Sequence, residues 1–279
     1  YLKRRCGVVY DPDREVLVSV GGSEAIDLAM RAMLNDGDEV LVPQPSYVSY
    51  MPCVTLADGV PVAIQLEEKD QFRLTPEKLL EKITDKTKIL VLPFPNNPTG
   101  AIMEREDLEK IVEIVLEKDL FVVSDEIYSE LTYGDEPHVT IASFPGMKER
   151  TVLINGFSKA YAMTGWRLGY AAAPAAILEQ MLKIHQYAIM CAPTTSQYAA
   201  VSALKNGDPD VAMMRESYNQ RRRFLLHAFA EMGIECFEPK GAFYTFPNIK
   251  RFGMTSEEFA TRLLQEEKVA VVPGTAFGG

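Results

Sequence analysis

Short β-branched runs alternate along this chain with longer stretches whose apolar positions recur with helical period. This is the pattern of an α/β protein, a mainly parallel central sheet flanked by helices. Strands are predicted at 16–20, 39–42, 60–66, 88–92, 120–124, 151–155 and 168–172, each bounded by Gly, Pro or Asp. Between them, Ser23 reads as the N-cap of a helix whose Ile26, Met30, Met33 and Leu34 share one apolar face, ending near Asn35 and Gly37. A second helix over 104–118 turns Leu108, Ile111, Val112 and Val115 inward and its Glu and Lys residues outward. After Pro174 helical period takes over, and helices are expected at 175–190, 195–205 and 209–232. A strand at 242–246, a helix over 257–265 capped by Ser256 and a strand at 269–272 then read as a smaller α/β unit. The expected division is a large domain over 1–225 and a partial small domain over 226–279. The chain opens at Tyr1 inside what reads as the tail of a helix and closes on Gly278 and Gly279, a loop composition that leads into a further element, so a trimmed form of a longer protein is expected.

Composition narrows the classes of function. With 279 residues, 47% of them hydrophobic and 24% charged, the chain can bury a sizeable core. A formal charge of -10 leaves no broad basic face, so neither nucleic acid nor an anionic membrane is an expected partner. No apolar run approaches the ~20 residues that span a bilayer, and residues 1–5 do not read as a secretory signal, which makes a cytoplasmic location the expectation. Cys6, Cys53, Cys191 and Cys236 are scattered, without a C-x-x-C pair or a histidine at ligand spacing, so neither a disulfide framework nor a metal site is expected. The arginines at 221–223 read as a solvated helix face.

Four segments carry candidate chemistry, and each follows a predicted strand. Gly21, Gly22 and Ser23 join a strand to a helix, where free backbone N–H groups and the helix dipole suit a phosphate; taken alone, the segment is a weak signal, and a tight turn with a serine cap is the simpler account. The glycines of a dinucleotide loop and the Lys-Ser/Thr pair of a P-loop are absent. Asp125 ends an apolar strand, with Tyr128 close behind it, and stands either to hold a ligand cation or to cap the following turn. Lys159 lies in a turn with Gly156 and Ser158, where an amine is either exposed to water or used covalently, and Arg167 beyond it offers a planar fork that matches phosphate. The prolines at 93, 95 and 98 stiffen the loop that presents Asn97, and Asn97-Pro98 is a candidate cis bond. In an open α/β sheet ligands bind beyond the carboxyl ends of the strands, so these segments converge on one rim.

Taken in order, V-G-G-S-E-A at 20–25, P-S-Y-V-S-Y at 45–50, N-N-P-T-G at 96–100, S-D-E-I-Y at 124–128, S-K-A-Y-A-M-T-G-W-R-L-G-Y at 158–170, G-A-F-Y at 241–244 and P-G-T-A-F-G at 273–278 resemble the pyridoxal-phosphate-dependent aminotransferases of fold type I, class I/II, the aspartate aminotransferase superfamily. The resemblance runs over essentially the whole chain. It implies pyridoxal 5'-phosphate as cofactor and transfer of an amino group from an L-amino acid to a 2-oxo acid by a ping-pong mechanism. Lys159 would form the internal aldimine and shuttle a proton, Asp125 would pair with the pyridine nitrogen, and Asn97 and Tyr128 would hydrogen-bond the 3-oxygen. Tyr47 would stack on the ring, and Gly21, Gly22, Ser23 and Arg167 would form the phosphate cup. Gly156 departs from the family, many members of which place a phosphate-touching serine there, so that contact is either lost or supplied by Ser158. The resemblance also implies a homodimer, and it places the substrate-carboxylate arginine and a dimer-clasping arm in segments outside this sequence. An isolated 1–279 chain is therefore expected to be weakly active. The rival readings are a β-eliminating C-S lyase, which shares the same carbanion chemistry, and the cofactor-binding sensor domain of a transcription regulator.

Overall fold

The structure is a computed structural model that describes residues 1–134 and 136–278. Its sheet comprises β1 (Val16–Ser19), β2 (Glu39–Gln44), β3 (Val60–Gln65), β4 (Thr87–Leu92), β5 (Phe121–Asp125), β6 (Thr151–Gly156) and β7 (Gly169–Ala172), in the order β1-β7-β6-β5-β4-β2-β3. Neighbours pair in parallel except β7, which runs antiparallel to both β1 and β6. The start of β7 therefore lies at the same rim as the ends of the other strands, and this brings Arg167 to the rim although it precedes a strand rather than following one.

Helices α1 (Leu2–Cys6), α2 (Gly22–Met33), α3 (Tyr50–Leu56), α4 (Pro76–Lys82) and α5 (Arg105–Glu117) intervene between the early strands or precede them. The chain then continues through α6 (Ala175–Ala188), α7 (Thr194–Asn206), α8 (Asp208–Glu231) and α9 (Ser256–Glu267). Both faces of the sheet are covered, because successive side chains of a strand point to opposite sides and here both sides are apolar. Leu90, Leu92 and Val122 pack with Leu79, Leu108 and Ile111 of α4 and α5. Ile89, Val91, Val123 and Ile154 pack instead with Ile26 and Met30 of α2, Val54 of α3 and Met181 of α6. Each of these fully buried aliphatic side chains contributes about 1.5–3 kcal/mol relative to exposure, which makes the central strands the rigid support of the rim.

The structure corrects several local expectations. Ser23 does not cap α2. The N-cap is Gly21, held at φ 88°, and the Ser23 hydroxyl faces the Tyr47 hydroxyl at 3.2 Å. No strand forms at 242–246: Ala242 adopts φ 56°, which breaks an extended run, and only the isolated bridge Thr132↔Gly241 touches this end of the segment. Residues 269–272 form no ladder among the described residues, and Val269, Val271 and Val272 are largely exposed. Helix α9 is capped by Thr255 rather than Ser256, in a capping box with Glu258. Of the three arginines, Arg222 leaves the solvated face to donate to Glu238 and Pro239 and to cover the Tyr133 ring. The Asn97-Pro98 bond is cis as expected, and so are Gln44-Pro45 and Phe94-Pro95.

Gly156 is explained by packing. A Cβ there would stand 3.0 Å from both the Gly169 Cα and the Leu168 carbonyl oxygen, backbone atoms that cannot swing aside. Gly156→Ser is expected to destabilise the fold by about 1–3 kcal/mol through overpacking, read as a lowered midpoint in chemical denaturation.

Candidate active site

A cleft of about 280 Å³ opens at the carboxyl rim of the sheet, where β4, β5 and β6 deliver their loops. Gly22, Ser23, Tyr47, Asn97, Asp125, Tyr128, Ser158, Lys159 and Arg167 all line it. Gly21 lies directly behind: its ideal Cβ would stand 2.7 Å from Arg167 Nη2, so no side chain fits between turn and guanidinium. All the site residues expected from the sequence are thereby brought together.

Asp125 is the most constrained of them. It closes β5 and is 7% exposed; Oδ2 accepts from the Tyr50 hydroxyl at 2.8 Å and Oδ1 from the Ile127 N–H at 3.1 Å. Burial pushes its carboxyl above the ordinary value, while the Tyr50 and Ile127 donors and the charge of Lys159 act the other way. Both donors are neutral, and no ion pair compensates the charge among the described residues. Tyr50 was not anticipated as a site residue. Its signal was the second tyrosine of P-S-Y-V-S-Y, which the first turn of α3 directs into the core beneath Tyr47, the two rings meeting edge to face at 5.7 Å. Tyr50→Phe removes a donor from a buried carboxylate and is expected to cost about 1.5–3 kcal/mol at neutral pH, measured by thermal unfolding of the cofactor-free protein.

Lys159 follows β6 and carries its ammonium 5.8 Å from the centroid of the Tyr128 ring and 5.6 Å from that of Phe243. The aromatic faces give a cation some stabilisation without removing its lone-pair chemistry on deprotonation. Among the described residues it forms no ion pair, which sets it apart from Lys78, Lys88 and Lys148, each of them held by acids. The Tyr128 hydroxyl meets that of Tyr244 at 2.6 Å, and burial pushes both phenols upward. Tyr244, the last residue of the G-A-F-Y motif, also lines the cleft and is a site residue beyond those expected from the sequence.

The loop after β4 is held by Asn96, fully buried, whose Oδ1 accepts from Thr99 N–H and Oγ1 and whose Nδ2 donates to the Pro45 carbonyl. This leaves Asn97 free to face the cleft, and its Oδ1 is buried without a partner. Arg167 takes up φ 51°, an uncommon conformation for a side chain of its kind, with Nη1 donating to the Thr164 carbonyl and Nη2 to the Val20 carbonyl. Thr164, also unanticipated, lines the cleft and donates to the Ser158 carbonyl at 2.8 Å. The arrangement offers an amine, a buried acid facing it, and an anion seat built from a helix N-terminus and a guanidinium. Among the described residues no group of side chains could hold a metal ion, and no helix is long and apolar enough to cross a membrane.

Comparison with known proteins agrees over the full length. The chain is 47% identical over 279 residues to the aspartate aminotransferase of Pyrococcus abyssi, covering 99% of this chain and 72% of that protein. It is 43% identical over 278 residues to the aromatic-amino-acid aminotransferase 2 of Thermococcus litoralis, covering 99% and 72%. The crystal structure of an aromatic aminotransferase from Pyrococcus horikoshii superimposes with a TM-score of 0.97 at 47% identity, covering 100% of this chain and 75% of that one. The architecture is that of the fold type I enzymes. The family model described as aminotransferase class I and II matches residues 1–279, and the chain belongs to that family of enzymes.

Proposed function

We propose that this aminotransferase moves the amino group of an L-amino acid to a 2-oxo acid in ping-pong fashion, with pyridoxal 5'-phosphate as its cofactor and Lys159 as the residue joined to it. The observation that carries the reading is a single cleft in which an amine with no acid partner among the described residues, a buried carboxylate and a glycine turn backed by arginine come together.

Three features fit that cofactor. Asp125 is a buried carboxylate with only neutral donors, which a protonated ring nitrogen would complete. The unpartnered amide end of Asn97 suits a ring oxygen, since the amide presents donor or acceptor by rotation. The Gly21 turn leaves its space to Arg167 and an anion. When bound, the cofactor supplies an aldehyde that carries the amino group and a ring that takes up the electron pair freed at the substrate Cα.

The remaining work falls to the chain. Asp125 would hold the proton on the ring nitrogen, and its charge would be compensated there rather than by water. Lys159 Nζ would take the proton from the substrate Cα and return it at the other end of the transfer, general acid–base work for which its freedom from an ion pair suits it. Asn97 and the Tyr128 hydroxyl would bind the 3-oxygen, and Tyr47 would pack on the ring. Gly21, Gly22, Ser23, Ser158 and Arg167 would bind the phosphate. The reading includes a two-domain division at 225/226 crossed by α8, a cytoplasmic setting, and a homodimer. The dimer is supported by Tyr187, Met190 and Tyr198, which expose 88%, 79% and 77% of their surface on α6, the segment after it and α7.

An isotope experiment tests the function. With a 15N-labelled amino acid and an unlabelled 2-oxo acid, the label is expected in the new amino acid. Release of labelled ammonia together with pyruvate from a β-substituted donor, with no label transferred, would replace this reading by the lyase.

A further inference from the structure

The turn assigned above to phosphate is held from behind by two residues that take no part in lining the cleft. Glu24 stands in the first turn of α2, yet its carboxylate folds back. Oε2 accepts from the Val20 N–H, and Oε1 accepts from Nδ1 of His185 at 2.8 Å. His185 belongs to α6 and is 3% exposed. A carboxylate accepts only, so the ring nitrogen facing it carries the proton.

An acid this near an anion seat would oppose the anion, since like charges repel and the helix N-terminus already offers its donors to the site. The geometry shows a different use. Val20 is gripped from both sides: Glu24 takes its N–H, while Arg167 Nη2 donates to its carbonyl at 3.4 Å. The next residue, Gly21, is the one whose Cβ position falls 2.7 Å from that same Nη2. A shift of Val20, whose two flanking peptides carry these contacts, therefore acts on the guanidinium and the first glycine together. Paired with His185, the acid fixes the Ser19–Val20 peptide, and through Val20 it steadies the next peptide, whose carbonyl the fork meets.

We infer that Glu24 and His185 form a positioning pair that sets the affinity of the Gly21–Arg167 seat for a phosphate ester without touching the ligand. The inference rests on the phosphate role proposed for that seat. It predicts a selective effect, because the pair acts on the seat and not on Asp125 or Asn97 at the ring end.

Absorbance titration of the cofactor-free protein with pyridoxal 5'-phosphate and, separately, with pyridoxal reads that selectivity as the ratio of the two dissociation constants. In Glu24→Ala the preference for the phosphorylated ligand is expected to fall about tenfold, with pyridoxal affinity unchanged, as befits loss of a hydrogen bond to a charged group. Glu24→Gln keeps an acceptor for Val20 and a polar contact for His185, and is expected to restore most of the preference. An unchanged ratio in Glu24→Ala, or an equal loss of both ligands, would overturn the inference, the second outcome marking the pair as general support for the fold. His185→Phe is expected to lower the ratio in the same direction, and an unchanged ratio there overturns the inference even where the alanine variant fails to fold. If the wild-type protein itself shows no preference for the phosphorylated ligand, the phosphate reading of the seat fails instead.

Discussion

Lys159→Ala protein is expected to retain its fold and lose amino-group transfer by about 10⁴-fold or more, since the substitution removes both the covalent attachment and the proton carrier at the substrate Cα. The fold should survive because the side chain is only partly buried, pairs with no acid among the described residues and gives up only its position over the rings of Tyr128 and Phe243. Lys159→Arg sharpens the prediction. It keeps the positive charge near Asp125 but offers a group that stays protonated and cannot serve as base or nucleophile, so it should be as inactive as the alanine variant. Steady-state transfer rates beside thermal unfolding curves check both halves. Substantial activity in Lys159→Arg would mean that the charge alone matters at this position.

Asp125→Asn should separate stability from function. The folded-state value of this carboxyl lies above its ordinary 3.8, because burial outweighs its two neutral donors and the nearby ammonium. A raised acid value means that the native state binds its proton more tightly than the unfolded chain does. Stability is therefore greatest below the ordinary value and declines as pH rises through the folded value; above it the cofactor-free protein carries a buried charge that forms no ion pair among the described residues. An amide of the same shape meets the same partners, with its oxygen accepting from Ile127 and its NH₂ facing the Tyr50 hydroxyl. Cofactor-free Asp125→Asn is thus expected to unfold at a higher temperature than wild type at neutral pH, with the difference vanishing in acid. Its activity should fall about 10²–10³-fold, as for removal of a preorganised electrostatic partner. Loss of activity accompanied by lower stability at neutral pH would show that burial of the charge is not the strain it is taken to be.

The strands and most helices of the large sheet were legible because they rest on local pattern: apolar runs buried on both faces leave a signature that needs no knowledge of the neighbours. The end of the chain was not. Residues 242–246 are rich in aromatic and β-branched side chains, yet a strand needs a partner with matching register, and the left-handed Ala242 turns the backbone away from one. The cap of α2 was misplaced by one feature of composition: serine is the commoner cap, but the turn needed a residue at φ 88°, which glycine supplies at little cost, and the serine hydroxyl was free to meet Tyr47. The candidate site was read through its loop motifs, and all of them except P-G-T-A-F-G at 273–278 place a residue in the lining of the cleft. Tyr50 and Tyr244 stayed invisible because their roles depend on contacts to Asp125 and Tyr128, residues far from them along the chain, and no local spacing encodes such a pairing. Nothing local marks Glu24 either: its pairing is with His185, which α6 brings to it from far along the chain.

The central claim is that one lysine, beyond the end of β6, is the point of covalent attachment. Borohydride reduction of the purified protein loaded with pyridoxal 5'-phosphate, followed by peptide mass mapping, tests it directly. The account predicts a single stable mass addition on the peptide carrying Lys159 and none in Lys159→Ala; a modified lysine elsewhere, or no stable adduct at saturating cofactor, would contradict it.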